Sequence, residues 1–148
     1  MAPGGTSRNL LVMIEAESLA GIKVMVIDDS NTIRRSAEIF LTQAGCEVLA
    51  AEDGFDALGK IIEHEPHIIF CDIMMPRLDG YQTCALVRQN RRFCETPFVM
   101  LSSKDGVFDR ARGLMAGATE YLTKPFTRES LLAAVRAHLP ATRGTASA

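Results

Sequence analysis

Four polar points end the apolar runs of this chain. Asp28-Asp29 follows Lys23 to Ile27, Asp72 follows Ile68 to Cys71, Ser102 follows Pro97 to Leu101, and Lys124 follows Glu120 to Thr123. Three carboxylates gathered at one place repel one another, and they stay ionised together only when a cation joins them. A hard divalent ion with oxygen ligands fits, and Mg2+ favours few protein carboxylates, several waters and a phosphate. Lys124 adds a fixed positive charge and Ser102 a hydroxyl donor. With Asp72 as nucleophile, these are the parts of a phosphoryl-transfer site. The metal would sit between Asp29, Asp72 and a phosphoryl oxygen, with Lys124 and Ser102 on the other oxygens. Taken singly, each residue has a plainer role. Asp72 would cap a turn, Asp28-Asp29 would favour a helix N-terminus, and Ser102 would be a turn hydroxyl. It is their coincidence at the ends of four strands that argues for a site.

The elements that position them alternate. Lys23 to Ile27 predicts a buried strand, and Ser30 a cap for a helix carrying Ile33, Ala37, Phe40, Leu41 and Ala44, closed by Gly45. Glu47 to Ala51 predicts a strand and Asp53-Gly54 a turn. Phe55, Leu58, Ile61 and Ile62 mark a short amphipathic helix that stops before Pro66. Ile68 to Cys71 reads as a strand buried on both faces, followed by a loop broken at Pro76 and closed by the turn pair Asp79-Gly80. Tyr81 to Asn90 predicts a helix with Cys84, Leu86 and Val87 inward and a solvated end at Arg88, Arg91 and Arg92. Pro97 to Leu101 is a strand. Val107, Ala111, Leu114 and Met115 suggest a helix closed by Gly117. Glu120 to Thr123 is a last strand, and Thr127 caps a helix carrying Leu131, Leu132, Val135 and Leu139. Five strand–helix alternations demand a parallel α/β sheet with helices on both faces. In such sheets ligands bind beyond the carboxyl ends of the strands, where all four polar points lie.

Composition bounds the alternatives. The 148 residues are 47% hydrophobic and 23% charged, a soluble globular mix with net charge −2 and no basic nucleic-acid footprint. No apolar run approaches a membrane span, so no membrane insertion is expected. Cys46, Cys71, Cys84 and Cys94 show neither C-x-x-C pairing nor zinc spacing and read as thiols in a reducing cytosol. His64, His67 and His138 are scattered and read as surface or boundary residues. Residues 1–20 are expected to be a flexible N-terminal extension without an export signal, and 141–148 a disordered tail, with one domain over 21–140.

The sequences Asp28-Asp29-Ser30, Asp72-x-x-Met75-Pro76-x-x-Asp79-Gly80, Ser102-Ser103 and Lys124-Pro125-Phe126 resemble the receiver domain of response regulators, of the chemotaxis-regulator type. The likeness runs over about residues 21 to 139. It implies a flavodoxin-like fold, a doubly wound five-stranded parallel sheet in the order 2-1-3-4-5. It implies Asp72 as phospho-acceptor, with Asp28, Asp29, Asp72 and the Met74 backbone carbonyl holding Mg2+. Lys124 would contact the phosphate, Ser102 and Tyr121 would be switch residues, and Lys124-Pro125 would be a cis bond. Further likeness, in Thr32-Ile33-Arg34-Arg35, Asp53 to Leu58, Met74 to Leu86 and Met100 to Gly106, points to the single-domain regulators of type IV pilus twitching motility.

The resemblance implies a cytoplasmic two-component switch. A histidine kinase of a chemotaxis-like system would phosphorylate Asp72, Ser102 would be drawn inward, and Tyr121 would fill the vacated space. The surface of the helix after Ser102, the last strand and the last helix would then change its affinity for a pilus-control effector protein. With no DNA-binding domain after residue 140, output is expected through protein contacts. Two other functions compete. A phosphate sink would share the chemistry without an effector. An aspartyl phosphatase-like enzyme would want a second carboxylate two residues after the nucleophile, where Met74 stands. Met74 and Lys104 should flank the path of an attacking water. Met74 cannot orient that water by hydrogen bonding, which predicts a long-lived phosphoryl group.

Overall fold

The computed structural model describes residues 19–103 and 107–139. The expectations for residues 1–18, Lys104 and the tail fall outside them. Among the described residues five strands, β1 (Lys23–Ile27), β2 (Glu47–Ala51), β3 (Ile68–Asp72), β4 (Phe98–Ser102) and β5 (Glu120–Thr123), alternate with five helices. These are α1 (Asn31–Gln43), α2 (Gly54–His64), α3 (Gly80–Gln89), α4 (Val107–Ala116) and α5 (Arg128–Ala137). Every strand pairing is parallel, and the sheet runs β2-β1-β3-β4-β5.

Burial follows that order. β3 and β4 are buried throughout and β1 nearly so, which is why they read as continuous apolar runs. The edge strands β2 and β5 are half-exposed. Alternation within each central strand divides the interior in two. Val24, Val26, Ile68, Phe70, Val99 and Leu101 face Ala37 and Leu41 of α1 and Leu131, Leu132 and Val135 of α5. Met25, Ile27, Ile69, Cys71, Phe98 and Met100 face Ala57 and Ile61 of α2 and Tyr81, Cys84 and Val87 of α3. Leu19, expected to belong to the flexible extension, is buried in the first of these clusters.

Local signals explain the helix starts. The hydroxyls of Ser30 and Thr127 accept from the backbone N–H three residues on, as N-caps do. Both Asp-Gly pairs differ from the turns expected. Asp53 and Asp79 are N-caps, each carboxylate accepting an N–H at 2.8 Å, from Asp56 and Gln82 respectively. Gly54 and Gly80 are then first helical residues. An aspartate that reaches the third backbone N–H starts a helix rather than reversing the chain.

Three helices present other faces than their periodicity suggested. Phe55 and Ile62 of α2 and Leu86 of α3 are exposed, because each helix buries one narrow stripe and these residues flank it. On α4, Leu114 and Met115 are 66% and 88% exposed, whereas Gly113 is buried. Arg88 is also not a solvated helix end. Its guanidinium donates to the carbonyls of Gly117 (2.9 Å), Phe93 (3.0 Å) and Thr96 (2.6 Å), stitching the ends of α3 and α4 together. Cys46, Cys71 and Cys84 are buried and Cys94 is exposed. The histidines sit at element ends: His67 Nδ1 accepts from the Lys23 N–H at 2.9 Å, and His138 pairs with Glu120.

Candidate functional site

Parallel register delivers the polar residues to one edge. Ile27 lies beside Cys71, Asp72 beside Leu101 and Ser102 beside Thr123, so each strand's last residues emerge at the same level. The Lys124 N–H donates to the Ser102 carbonyl at 2.6 Å and carries the β4–β5 pairing one step past the sheet. The Lys124-Pro125 bond is cis, as the resemblance implied. Gly80 holds the loop after Asp72 close. Its N–H donates to the Ile73 carbonyl at 2.9 Å, and a Cβ there would come within 2.5 Å of the Asp72 carbonyl oxygen. Only glycine permits that approach, a demand that the spacing alone did not reveal.

Asp28 is fully buried, Asp72 is 4% exposed, and Asp29 stands exposed at the mouth. One carboxylate oxygen from each lies within 4.8 Å of the other two. Lys124 Nζ donates to Asp72 Oδ1 at 3.0 Å and to Asp28 Oδ2 at 3.2 Å. Asp28 Oδ1 also accepts the Ser30 N–H at 2.9 Å, and the Asp28 carbonyl accepts from Arg34, a contact the sequence did not announce. Ser102 is buried at the end of β4, and Tyr121 is half-buried three residues before Lys124. Met74 is 76% exposed beside the site.

The electrostatics agree with this crowding. Burial pushes the Asp72 carboxyl up to about 6, helped by Asp28 and Asp29, against the opposing pull of the Lys124 ammonium. Burial alone would lower the Lys124 ammonium, but its hydrogen bond to Asp72 and the charges of Asp28 and Asp72 raise it. One ammonium cannot neutralise three carboxylates. A buried excess of negative charge needs a further cation, and an all-oxygen donor set suits a hard divalent ion such as Mg2+. The residues present therefore fit that ion.

Comparison with known proteins agrees with this arrangement. The family profile of the response regulator receiver domain matches residues 24–136. The chain belongs to the response regulator receiver family. It is 63% identical over 120 residues to Protein PilG of Pseudomonas aeruginosa, covering 81% of this chain and 89% of that one. Among solved structures it is similar to the chemotaxis protein CheY4 of Vibrio cholerae, with 35% identity and a TM-score of 0.79 over 81% of this chain and all of that one. The receiver domain of the Francisella response regulator 1452 matches with 32% identity and a TM-score of 0.72 over 79% and 95% of the two chains. Receiver domains of this kind are signalling switches. Among the described residues, no helix is long and apolar enough to cross a membrane.

Proposed function

We propose that the chain is a cytoplasmic phospho-accepting switch of a two-component system, with residues 21–140 as its receiver unit. The observation that carries this reading is the buried Asp72 carboxylate, 3.0 Å from Lys124 Nζ and grouped with Asp28 and Asp29. An Asp72 oxygen attacks the phosphorus of a phosphohistidine on the donor kinase. The P–N bond breaks, the imidazole leaves with a proton, and an acyl phosphate forms on Asp72. Asp28, Asp29, Asp72 and the Met74 carbonyl would hold Mg2+, which supplies charge neutralisation for the phosphoryl oxygens when bound. Lys124 balances a further oxygen and Ser102 donates its hydroxyl to another.

The added charge draws Ser102 toward the phosphoryl group, and Tyr121 moves with it. Two states of α4, β5 and α5 then differ in affinity for a protein partner. Its 63% identity with PilG, together with the motifs shared with pilus regulators, supports a histidine kinase of a chemotaxis-like system as donor and a pilus-control protein as effector. The output would be type IV pilus twitching motility. The exposed Met74 thioether, where a phosphatase of similar design would place a carboxylate, favours a switch over an enzyme.

Intact mass after incubation with acetyl phosphate and Mg2+ tests the chemistry. One phosphoryl group on the native chain, absent from Asp72→Asn and abolished by chelation, is the expected result. No adduct on the native chain would overturn the reading.

A further inference from the structure

α4 contains a glycine where helices are weakened by one. Gly113 lies in the interior of Val107–Ala116. Glycine there costs backbone entropy that alanine would not. The tertiary structure supplies the reason. A methyl group at position 113 would overlap the Tyr121 hydroxyl and stand 2.6 Å from Cζ and 3.0 Å from Cε2 of the ring. Gly113 is buried, and Tyr121 packs with Ala116 against the core cluster formed by α2, α3 and the sheet. The ring therefore lies directly on the α4 backbone. The same packing turns the small face of α4 inward and leaves Leu114 and Met115 outward.

The structure assigns Gly113 as a positioning residue: it is the seat that holds the Tyr121 ring in the unphosphorylated chain, so the residue at 113 sets the resting bias of the switch. Any Cβ at 113 must displace the ring or lift α4, because it would occupy the space of the Tyr121 hydroxyl and the adjoining ring atoms. In the switch proposed above Tyr121 leaves this position on phosphorylation, so expelling the ring removes a contact of the resting state. By linkage, this favours the phosphorylated state. The coupling to Asp72 rests on the function proposed above; the seat itself does not.

Gly113→Ala in the full chain separates the two. Tyr121 is followed by NMR of 13C-labelled tyrosine, with Tyr81→Phe and Tyr121→Phe as assignments. In Gly113→Ala without phosphodonor, the Tyr121 ring is expected to shift toward its free-tyrosine position and become accessible to a soluble relaxation agent. A ring that keeps its native signals overturns the seat. Denaturation supplies a second reading that does not depend on ring signals. Gly113→Ala should lower the unfolding midpoint in the native background. It should raise it in a Tyr121→Ala background, where only helix propensity remains. Equal shifts in both backgrounds overturn the seat. With acetyl phosphate limiting, the phosphorylated fraction of Gly113→Ala should rise at least twofold over native. A released ring with an unchanged phosphorylated fraction overturns the coupling and places the failure in the Tyr121 switch, while loss of all phosphorylation in the native chain would place it in the Asp72 chemistry.

Discussion

The carboxyl edge of the sheet and the α4–β5 corner are neighbours joined through β4 and β5, yet they are held in different ways. At the edge, the buried Asp28 and Asp72 and the half-buried Lys124 are fixed by strand register and by contacts of 3.0 and 3.2 Å. At the corner, a ring lies on a glycine, an arginine binds three carbonyls, and two large apolar side chains face solvent. The edge stores electrostatic tension that a cation or a phosphoryl group can relieve. The corner stores a packing choice. A receiver needs both, since charge arriving at the edge must be converted into a change of shape at a surface.

The largest effect should come from the edge. Lys124→Met should slow phosphorylation of Asp72 by roughly a hundredfold or more, as loss of one preorganised charge-stabilising donor does; timed mass spectra with acetyl phosphate measure it. An unchanged rate would remove Lys124 from the chemistry and leave it as a structural counter-ion.

Next is the tension itself. The Asp72 carboxyl is raised to about 6 in the folded chain, above its unfolded value near 3.8. A raised carboxyl favours folding while protonated, so this contribution is fully present below pH ~4 and is lost as pH rises through ~6. Without divalent cation, Asp72→Asn should gain about 1–1.5 kcal/mol relative to native on going from pH 5 to pH 8. Mg2+ should stabilise the native chain at pH 8. Parallel stability–pH curves for native and Asp72→Asn would show that the edge carries no such tension.

Arg88→Ala sharpens the contrast from the corner. It leaves the carbonyls of Gly117, Phe93 and Thr96 without this donor, and chemical denaturation should show a loss of about 1–3 kcal/mol with little dependence on pH. Met74→Asn adds a side chain able to orient water and should shorten the phosphoryl lifetime several-fold, about 1 kcal/mol in barrier. A lifetime equal to native would show that Met74 does not limit hydrolysis. The smallest effect belongs to the exposed pair: Leu114→Ser with Met115→Gln should leave stability within about 0.5 kcal/mol. A larger loss would mean that the pair is packed rather than exposed.

The two regions also differ in how far they can be read before folding. Central strands write themselves as apolar runs because they are buried on both faces, and Asp28, Asp72, Ser102 and Lys124 stand at their ends because parallel strands finish together. Alternation and the acidic cluster were therefore accessible from Lys23 to Lys124 as a string of residues. The order 2-1-3-4-5 came through resemblance, since period and length do not distinguish one parallel arrangement from another. Helix faces fared worse. Leu114, Met115, Phe55 and Ile62 match an apolar stripe, but a stripe shows only that some face is buried, not which. Nothing local marks Arg88 as a stitch, because three of its acceptors are backbone carbonyls that every sequence supplies. Gly113 reads as an ordinary helix weakness until Tyr121 is placed against it. Local chemistry along the chain determined the charges and the strands that carry them. Contacts between residues distant in sequence, which depend on how closely two backbones approach, decided where the ring of Tyr121 rests and which face of α4 meets solvent.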